Sequence, residues 1–185
     1  EGYATHYGKM FKDMEHQGLK RNTSNIVFRD CILWQDRDNP DPIHVGWSMR
    51  GREIRNVHFK DIDILHTRGG PKTAQLDIDT SWWGDKDNLI HDIVFENIRM
   101  EDAHGGNVIH IRQINQPATV RNVLFKNIRL LGGDVRKSSI IVSAPGSRIE
   151  NITFENVFLF DKRIRSLEEA GISIPEKYCE NITVK

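Results

Sequence analysis

The sequence predicts an all-β fold, a single-stranded right-handed parallel β-helix of about five or six coils with about 30 residues in each. Three observations predict it. The segment Asn122-Val123-Leu124-Phe125-Lys126-Asn127-Ile128 recurs as Asn25 to Cys31, Asn56 to Ile62, Asp92 to Ile98 and Asn151 to Val157, with a partial sixth copy at Asn181 to Val184. Its phenylalanines (Phe28, Phe59, Phe95, Phe125 and Phe154) are 31, 36, 30 and 29 residues apart, a period that marks stacked repeats. Within each copy apolar and polar residues alternate, as Val57 and Phe59 do with His58 and Lys60, and no stretch of helical spacing separates the copies. One such strand cannot bury its apolar side alone. Stacked coils share a core and pair every strand edge except at the two ends.

Taken in order, residues 1–24 are the least regular. Gly2 to Tyr7 reads as the second strand of a coil whose first half is missing, and Lys12 to Thr23 as a polar excursion. The chain opens with Glu1 in place of an initiator Met, so it reads as the later part of a longer protein, with the β-helix over residues 25–185. Coil one runs from Asn25 to Leu33 through Trp34 into the acidic turn Gln35 to Pro42. Asp36, Asp38 and Asp41 invite a calcium loop, but an EF-hand starting at Asp36 would need Gly at Asp41 and Glu at Trp47, so the turn reads as solvated.

The Asn or Asp after each Phe (Asp30, Asp61, Asn97, Asn127 and Asn156) falls where a coil turns a corner. Amides stacked there can hydrogen-bond as a ladder, a structural role. A second strand follows each turn: Ile43 to Trp47, Leu76 to Asp79, Ile109 to Arg112 and Ile140 to Ser143, which begin 15, 17, 14 and 15 residues after the preceding Phe. Alternation puts Ile43/Val45, Leu76/Ile78, Ile109/Ile111 and Ile140/Val142 inward. It puts His44, Asp77, His110 and Ile141 outward in one column, and Gly46, Asp79, Arg112 and Ser143 in the next. Gly132-Gly133-Asp134 and Ala144 to Ser147 are turns, Leu159 to Pro175 departs from the repeat, and Ser166 to Gly171 reads as one helical turn on the surface.

Basic and acidic residues balance at 26 each and the basic ones do not cluster, which argues against a nucleic-acid partner. No apolar run approaches the ~18 residues of a membrane span. Cys31 takes the inward place that Ile or Val holds in other copies, and Cys179 lies in the last coil. Coils stacked ~4.8 Å apart leave the two thiols beyond disulfide reach.

The outward columns carry the candidate chemistry. Hydrolysis of a glycosidic bond needs two carboxyl groups, one to protonate the leaving oxygen and one to activate water or attack. Asp77 and Asp79 are two apart on one strand, so their Cα atoms lie ~6.5 to 7 Å apart on one side, compatible with an inverting pair. His44 and His110 flank Asp77 from adjacent coils, and Arg112 beside Asp79 favours its charged form. The sequence therefore points to Asp79 as base, Asp77 as acid, and His44, Trp47, Trp82, Trp83, His110 and Arg112 as sugar-binding residues along an open groove. The same columns also fit a solvated polar face that only holds register, Trp82-Trp83 also fit a plugged corner, and His44, Asp77 and His110 lack any metal-ligand spacing.

The repeat resembles the pectin-lyase-like parallel β-helix proteins, which include polygalacturonases of glycoside hydrolase family 28. Over a narrower span, Cys31 to Trp34, Asn39 to Trp47 and Ile64 to Arg68 resemble the dextranase and isopullulanase group, glycoside hydrolase family 49. The resemblance implies inverting hydrolysis of an α-linked glucan or another plant or microbial polysaccharide, with no metal or other cofactor, outside the cytoplasm or in a periplasm. A polysaccharide or oligosaccharide is the expected partner and a monomer the expected state. In family 49 the catalytic aspartates lie just before the Asp-Pro-Ile segment and include an adjacent Asp-Asp pair. This chain has no such pair, and its counterpart falls at or before Glu1 to Ala4. Three readings follow: the pair lies upstream, Asp77 and Asp79 replace it, or the chain is a non-catalytic glycan-binding or structural module. The polygalacturonase motifs Asn-x-Asp, Asp-Asp, Gly-His-Gly and Arg-x-Lys are also absent, and a lyase finds no acidic calcium cluster beside a basic residue.

Overall fold

The computed structural model describes residues 22–35, 41–46, 49, 51–70, 73–80, 88–114, 116–135, 138–142 and 144–185. The chain runs through β1 (Thr23–Trp34), β2 (Ile43–Gly46), β3 (Glu53–Arg68), β4 (Ala74–Asp79), β5 (Asn88–His104), β6 (Asn107–Gln113), β7 (Ala118–Leu130), β8 (Ser139–Val142), β9 (Arg148–Glu155), β10 (Phe158–Leu159), β11 (Lys162–Arg163) and β12 (Cys179–Val184). A long sheet stacks β1, β3, β5, β7, β9 and β12, each parallel to the next. A short sheet stacks β2, β4, β6 and β8, also in parallel. Strands alternate between the two sheets along the chain, which makes a β-solenoid. Among the described residues four turns are closed by both sheets, and β9 and β12 add two further rungs to the long one.

The long strands bend because single residues in them are left-handed. Asn25 and Asp30, Asn56 and Asp61, Asp92 and Asn97, and Asn122 and Asn127 all have φ between 50° and 59°. Asn and Asp tolerate this region better than other side chains with a Cβ. Each such residue shifts the alternation by one. Buried positions therefore run Ile54, Val57, Phe59, Ile62, Ile64 in β3, Ile90, Ile93, Phe95, Ile98, Met100 in β5 and Val120, Val123, Phe125, Ile128, Leu130 in β7. The corner after each Phe matches the sequence expectation; the corner before it is an addition.

Both corners carry amide ladders. After Phe, Asn97 donates to Asp61 at 2.7 Å, Asn127 to Asn97 at 2.8 Å and Asn156 to Asn127 at 2.7 Å. Before Phe, Asn56 donates to Asn25 at 2.6 Å, Asn122 to Asp92 at 2.9 Å, Asn151 to Asn122 at 3.0 Å and Asn181 to Asn151 at 3.1 Å. Every bond runs from a later coil to an earlier one. Asp61 and Asp92 have acceptors but no N–H to pass on, so each ladder restarts there.

Inside, the five phenylalanines stack with ring centroids 5.1, 5.1, 4.8 and 5.2 Å apart and planes within 12° of parallel. Cys31 occupies the Ile column opposite Ile62, and both cysteines are free thiols. Between β9 and β12 the chain leaves the repeat as expected. The β10–β11 hairpin is antiparallel, and Ile164, Ala170 and Ile172 pack into the core beside the last rungs. Ser166 to Gly171 closes as hydrogen-bonded turns, with Ala170 N–H donating to Ser166 at 3.2 Å and Ile172 N–H to Leu167 at 2.8 Å. The one helical element among the described residues is a 3-10 turn at Glu176–Tyr178.

Candidate functional site

The short sheet places the polar columns in register. His44 lies opposite Asp77 and Asp77 opposite His110; Gly46 lies opposite Asp79 and Asp79 opposite Arg112. The structure thus brings together His44, Asp77, Asp79, His110 and Arg112, while Trp47, Trp82, Trp83 and Ser143 lie outside the described residues, as do Asp36 and Asp38. The fourth rung departs from the expectation. Ile111, not Ile109, faces Ile140, and Arg112, not His110, faces Ile141. Ile140-Ile141-Val142 is apolar throughout, so it carries no alternation from which register could be read.

The columns do not form an open groove. Asp77 and Asp79 are 0% exposed, His44 5% and His110 2%, and the neighbouring Gln75 and Gln113 are buried as well. Both faces of β2 and β4 and most of β6 are buried, so the outward side chains of these rungs form an enclosed polar layer. Alternating Asp, His and Ile look the same in sequence whether water or protein covers the polar side.

Asp41, read from sequence as part of a solvated turn, is a buried member of this layer. Its Oδ1 accepts the Ala74 N–H at 2.6 Å, and its Oδ2 lies 3.1 Å from His44 Nδ1. The same nitrogen is 3.2 Å from Asp77 Oδ2, and His110 Nδ1 is 3.5 Å from Asp77 Oδ1. Beside them the Arg112 guanidinium grips Asp79, with Nε donating to Oδ2 at 3.0 Å and Nη2 converging on the same oxygen. Asp41 sits three residues before His44, a spacing visible in sequence once the turn is known to fold under the strand.

Burial and charge separate the protonation states of these groups. Burial alone would lower the His44 pKa, but the Asp77 charge and the Asp41 hydrogen bond outweigh it and raise it to about 10. Burial raises the Asp77 carboxyl to about 7, with His44 pulling the other way. His110 is lowered to about 4 by burial, and the Arg112 charge adds to this. At neutral pH His44 is an imidazolium between two carboxyl groups and His110 is a neutral imidazole. Neither oxygen of Asp77 nor either ring nitrogen of His110 has an aligned hydrogen-bond partner among the described residues. Unspent polar atoms in a buried layer are uncommon and call for a chemical explanation. Ligand atoms of Asp41, His44 and Asp77 converge within 4.8 Å, yet the single His44 nitrogen there is shared by both carboxylates, so a proton already balances them.

Fold and layer together define a parallel β-solenoid with two buried carboxyl groups on one strand, Asp77 between histidines and Asp79 paired with Arg112. The chain is 24% identical over 169 residues to isopullulanase from Aspergillus niger. The match covers 91% of this chain and 25% of the relative, so the chain spans about a quarter of that protein's length. No family model matches the chain, and no solved structure does. The likeness and the β-solenoid together fit a pectin-lyase-like, carbohydrate-active β-helix.

Proposed function

We propose that this chain is a carbohydrate-active β-helix that hydrolyses a polysaccharide, an α-linked glucan in the first instance, with Asp77 as acid and Asp79 as base. The observation that carries this reading is the contrast in the partners of the two carboxyls. Asp77 is raised to about 7 by burial and so keeps the proton a leaving oxygen requires. Asp79, two residues on, accepts from the Arg112 guanidinium, a partner that suits a base. Likeness to isopullulanase supports the substrate class. His44 orients Asp77, and Trp47, Trp82 and Trp83, which follow β2 and β4 in sequence, supply sugar-stacking rings. Turnover by these residues requires the enclosed layer to open. The setting is extracellular or periplasmic, and the protein acts as a monomer without a cofactor, nucleic acid or membrane.

Complete burial of both aspartates favours a second reading, a non-catalytic glycan-binding or structural β-helix in which the layer only fixes register. The test is incubation of the chain, Asp77→Asn and Asp79→Asn with pullulan, dextran, polygalacturonate and xylan, and mass spectrometry of the products. Oligosaccharides from the parent alone support the hydrolytic assignment. Products from the folded variants place the chemistry elsewhere, and none from any of the three leaves the second reading.

A further inference from the structure

A second polar constellation, absent from the sequence reading, lies on the outer face of the long sheet. β3 and β5 pair with His66 opposite Asp102, and His104 follows Asp102 by two, so it points to the same side. Asp102 Oδ2 is 2.8 Å from His66 Nδ1, and its Oδ1 is 2.6 Å from His104 Nε2. Behind His104, Asp134 Oδ1 lies 2.9 Å from Nδ1 and also accepts the Gly105 N–H at 3.1 Å. Asp134 is itself tied down by its own N–H, which donates to the Ala103 carbonyl at 3.0 Å. Gly133 makes that approach possible, since a Cβ there would overlap the Ala103 carbonyl.

Both ring nitrogens of His104 face carboxylate oxygens, Nδ1 toward the anchored Asp134 and Nε2 toward Asp102, while His66 Nδ1 faces the other Asp102 oxygen. Two nitrogens and a carboxylate thus converge with their ligand atoms within 4.8 Å of one another.

We propose that His66, Asp102 and His104 bind a divalent transition cation of the zinc type, with Asp134 orienting His104 from behind. Two imidazoles and one carboxylate suit zinc, cobalt, nickel or copper over calcium or magnesium, which prefer oxygen alone. Bonds of about 2.0 to 2.2 Å from one ion reach all three groups after small side-chain rotations. The side chains are 27%, 49% and 39% exposed, so an ion enters from solvent and keeps a position open for a further ligand. A carboxylate behind a ligating histidine is the common outer partner in such centres, fixing the tautomer and raising the basicity of the ring. The buried Asp41, His44 and Asp77 group differs in two respects: it offers one nitrogen and is closed to solvent. This proposal is independent of the polysaccharide reading.

The test is calorimetric titration of the untagged, chelator-stripped full chain with zinc chloride, at a pH above the ordinary histidine range, with cobalt absorption as a second readout. One equivalent should bind. His66→Ala and His104→Ala should each abolish binding, Asp134→Asn should weaken it about 10- to 100-fold, and Asp41→Asn should leave it unchanged. The His66, His104 and Asp134 side chains lie on the surface, so circular dichroism should report an intact fold in those variants, and the buried Asp41→Asn is compared once its spectrum matches the parent. Absence of saturable binding overturns the proposal. So does binding that survives both histidine substitutions, or binding lost in Asp41→Asn but kept in His104→Ala.

Discussion

Replacing Asp77 by Asn should change how stability depends on pH in a way that separates the enclosed layer from an ordinary solvated face. In the parent, Asp77 has its pKa raised from 3.8 to about 7, so its contribution to stability is present below 3.8 and is lost as pH rises through 7. Over that span the loss is about 4 kcal/mol, at roughly 1.4 kcal/mol per pH unit. His110, lowered from 6.5 to about 4, acts in the opposite sense: its contribution is present above 6.5 and is lost as pH falls through 4. Its size is about 3 kcal/mol, so the two nearly cancel between pH 4 and 6.5. His44, raised from 6.5 to about 10, contributes below 6.5 and loses that contribution as pH rises through 10. Asp77→Asn removes the first contribution and weakens the third, because the Asp77 charge is the largest influence raising His44. Urea unfolding of both proteins from pH 4 to 10 should give a parent-minus-variant stability difference that falls steadily with pH, by about 4 kcal/mol up to neutrality. The variant alone should gain stability from pH 4 to 6.5. A difference that stays flat or rises with pH would refute the arrangement of charges described here.

Two further predictions concern the stack. Asn127 has φ 53° and takes part in two ladder bonds, to Asn97 and from Asn156, so Asn127→Ala should cost about 2 to 4 kcal/mol in urea unfolding. Asn127→Gly loses the same bonds without the strain and should be the milder change; the reverse order would mean that the left-handed corner is not what Asn is selected for. Phe95, fully buried between two rings, should cost about 3 to 5 kcal/mol on truncation to Ala, more than the partly buried Phe28. Equal losses at both positions would show that depth in the core does not set the cost.

How much of this could be read in the chain depends on what each residue type reveals. Phe125 and its equivalents gave the period, and the Asn or Asp after each Phe gave a corner, because both features repeat with fixed identity. The corner before Phe was equally regular, at Asn25, Asn56, Asp92, Asn122 and Asn151, but it reads as the polar start of a strand unless the shift in alternation from Ile54 to Val57 is noticed. The pairing of Ile43, Leu76 and Ile109 followed from alternation, whereas Ile140-Ile141-Val142 has none. Burial of Asp77 and Asp79 left no mark, since a polar side chain on a strand has the same period whether or not it is covered. The His66 and Asp102 pair did leave one: each lies seven residues after its Phe, a column that aligning the repeats on Phe59 and Phe95 would have exposed.

The two polar clusters show how a stacked fold sets the chemistry of the same residue types by where the rungs place them. Each joins histidine to aspartate across neighbouring rungs about 4.8 Å apart, so the distances available are alike. In the short sheet the cluster is covered, and desolvation makes unbalanced charge expensive. The stable arrangement there gives His44 an extra proton and shifts Asp77 toward its neutral form. On the long sheet water screens the charges, and Asp134 holds one nitrogen of His104 while the other turns to Asp102, where the proposed ion would enter. Proton chemistry therefore belongs to the enclosed layer and ion capture to the open one. Exchanging Asp102 for Asn and Asp77 for Asn should accordingly give different signatures, a loss of zinc affinity in the first and a changed pH profile in the second.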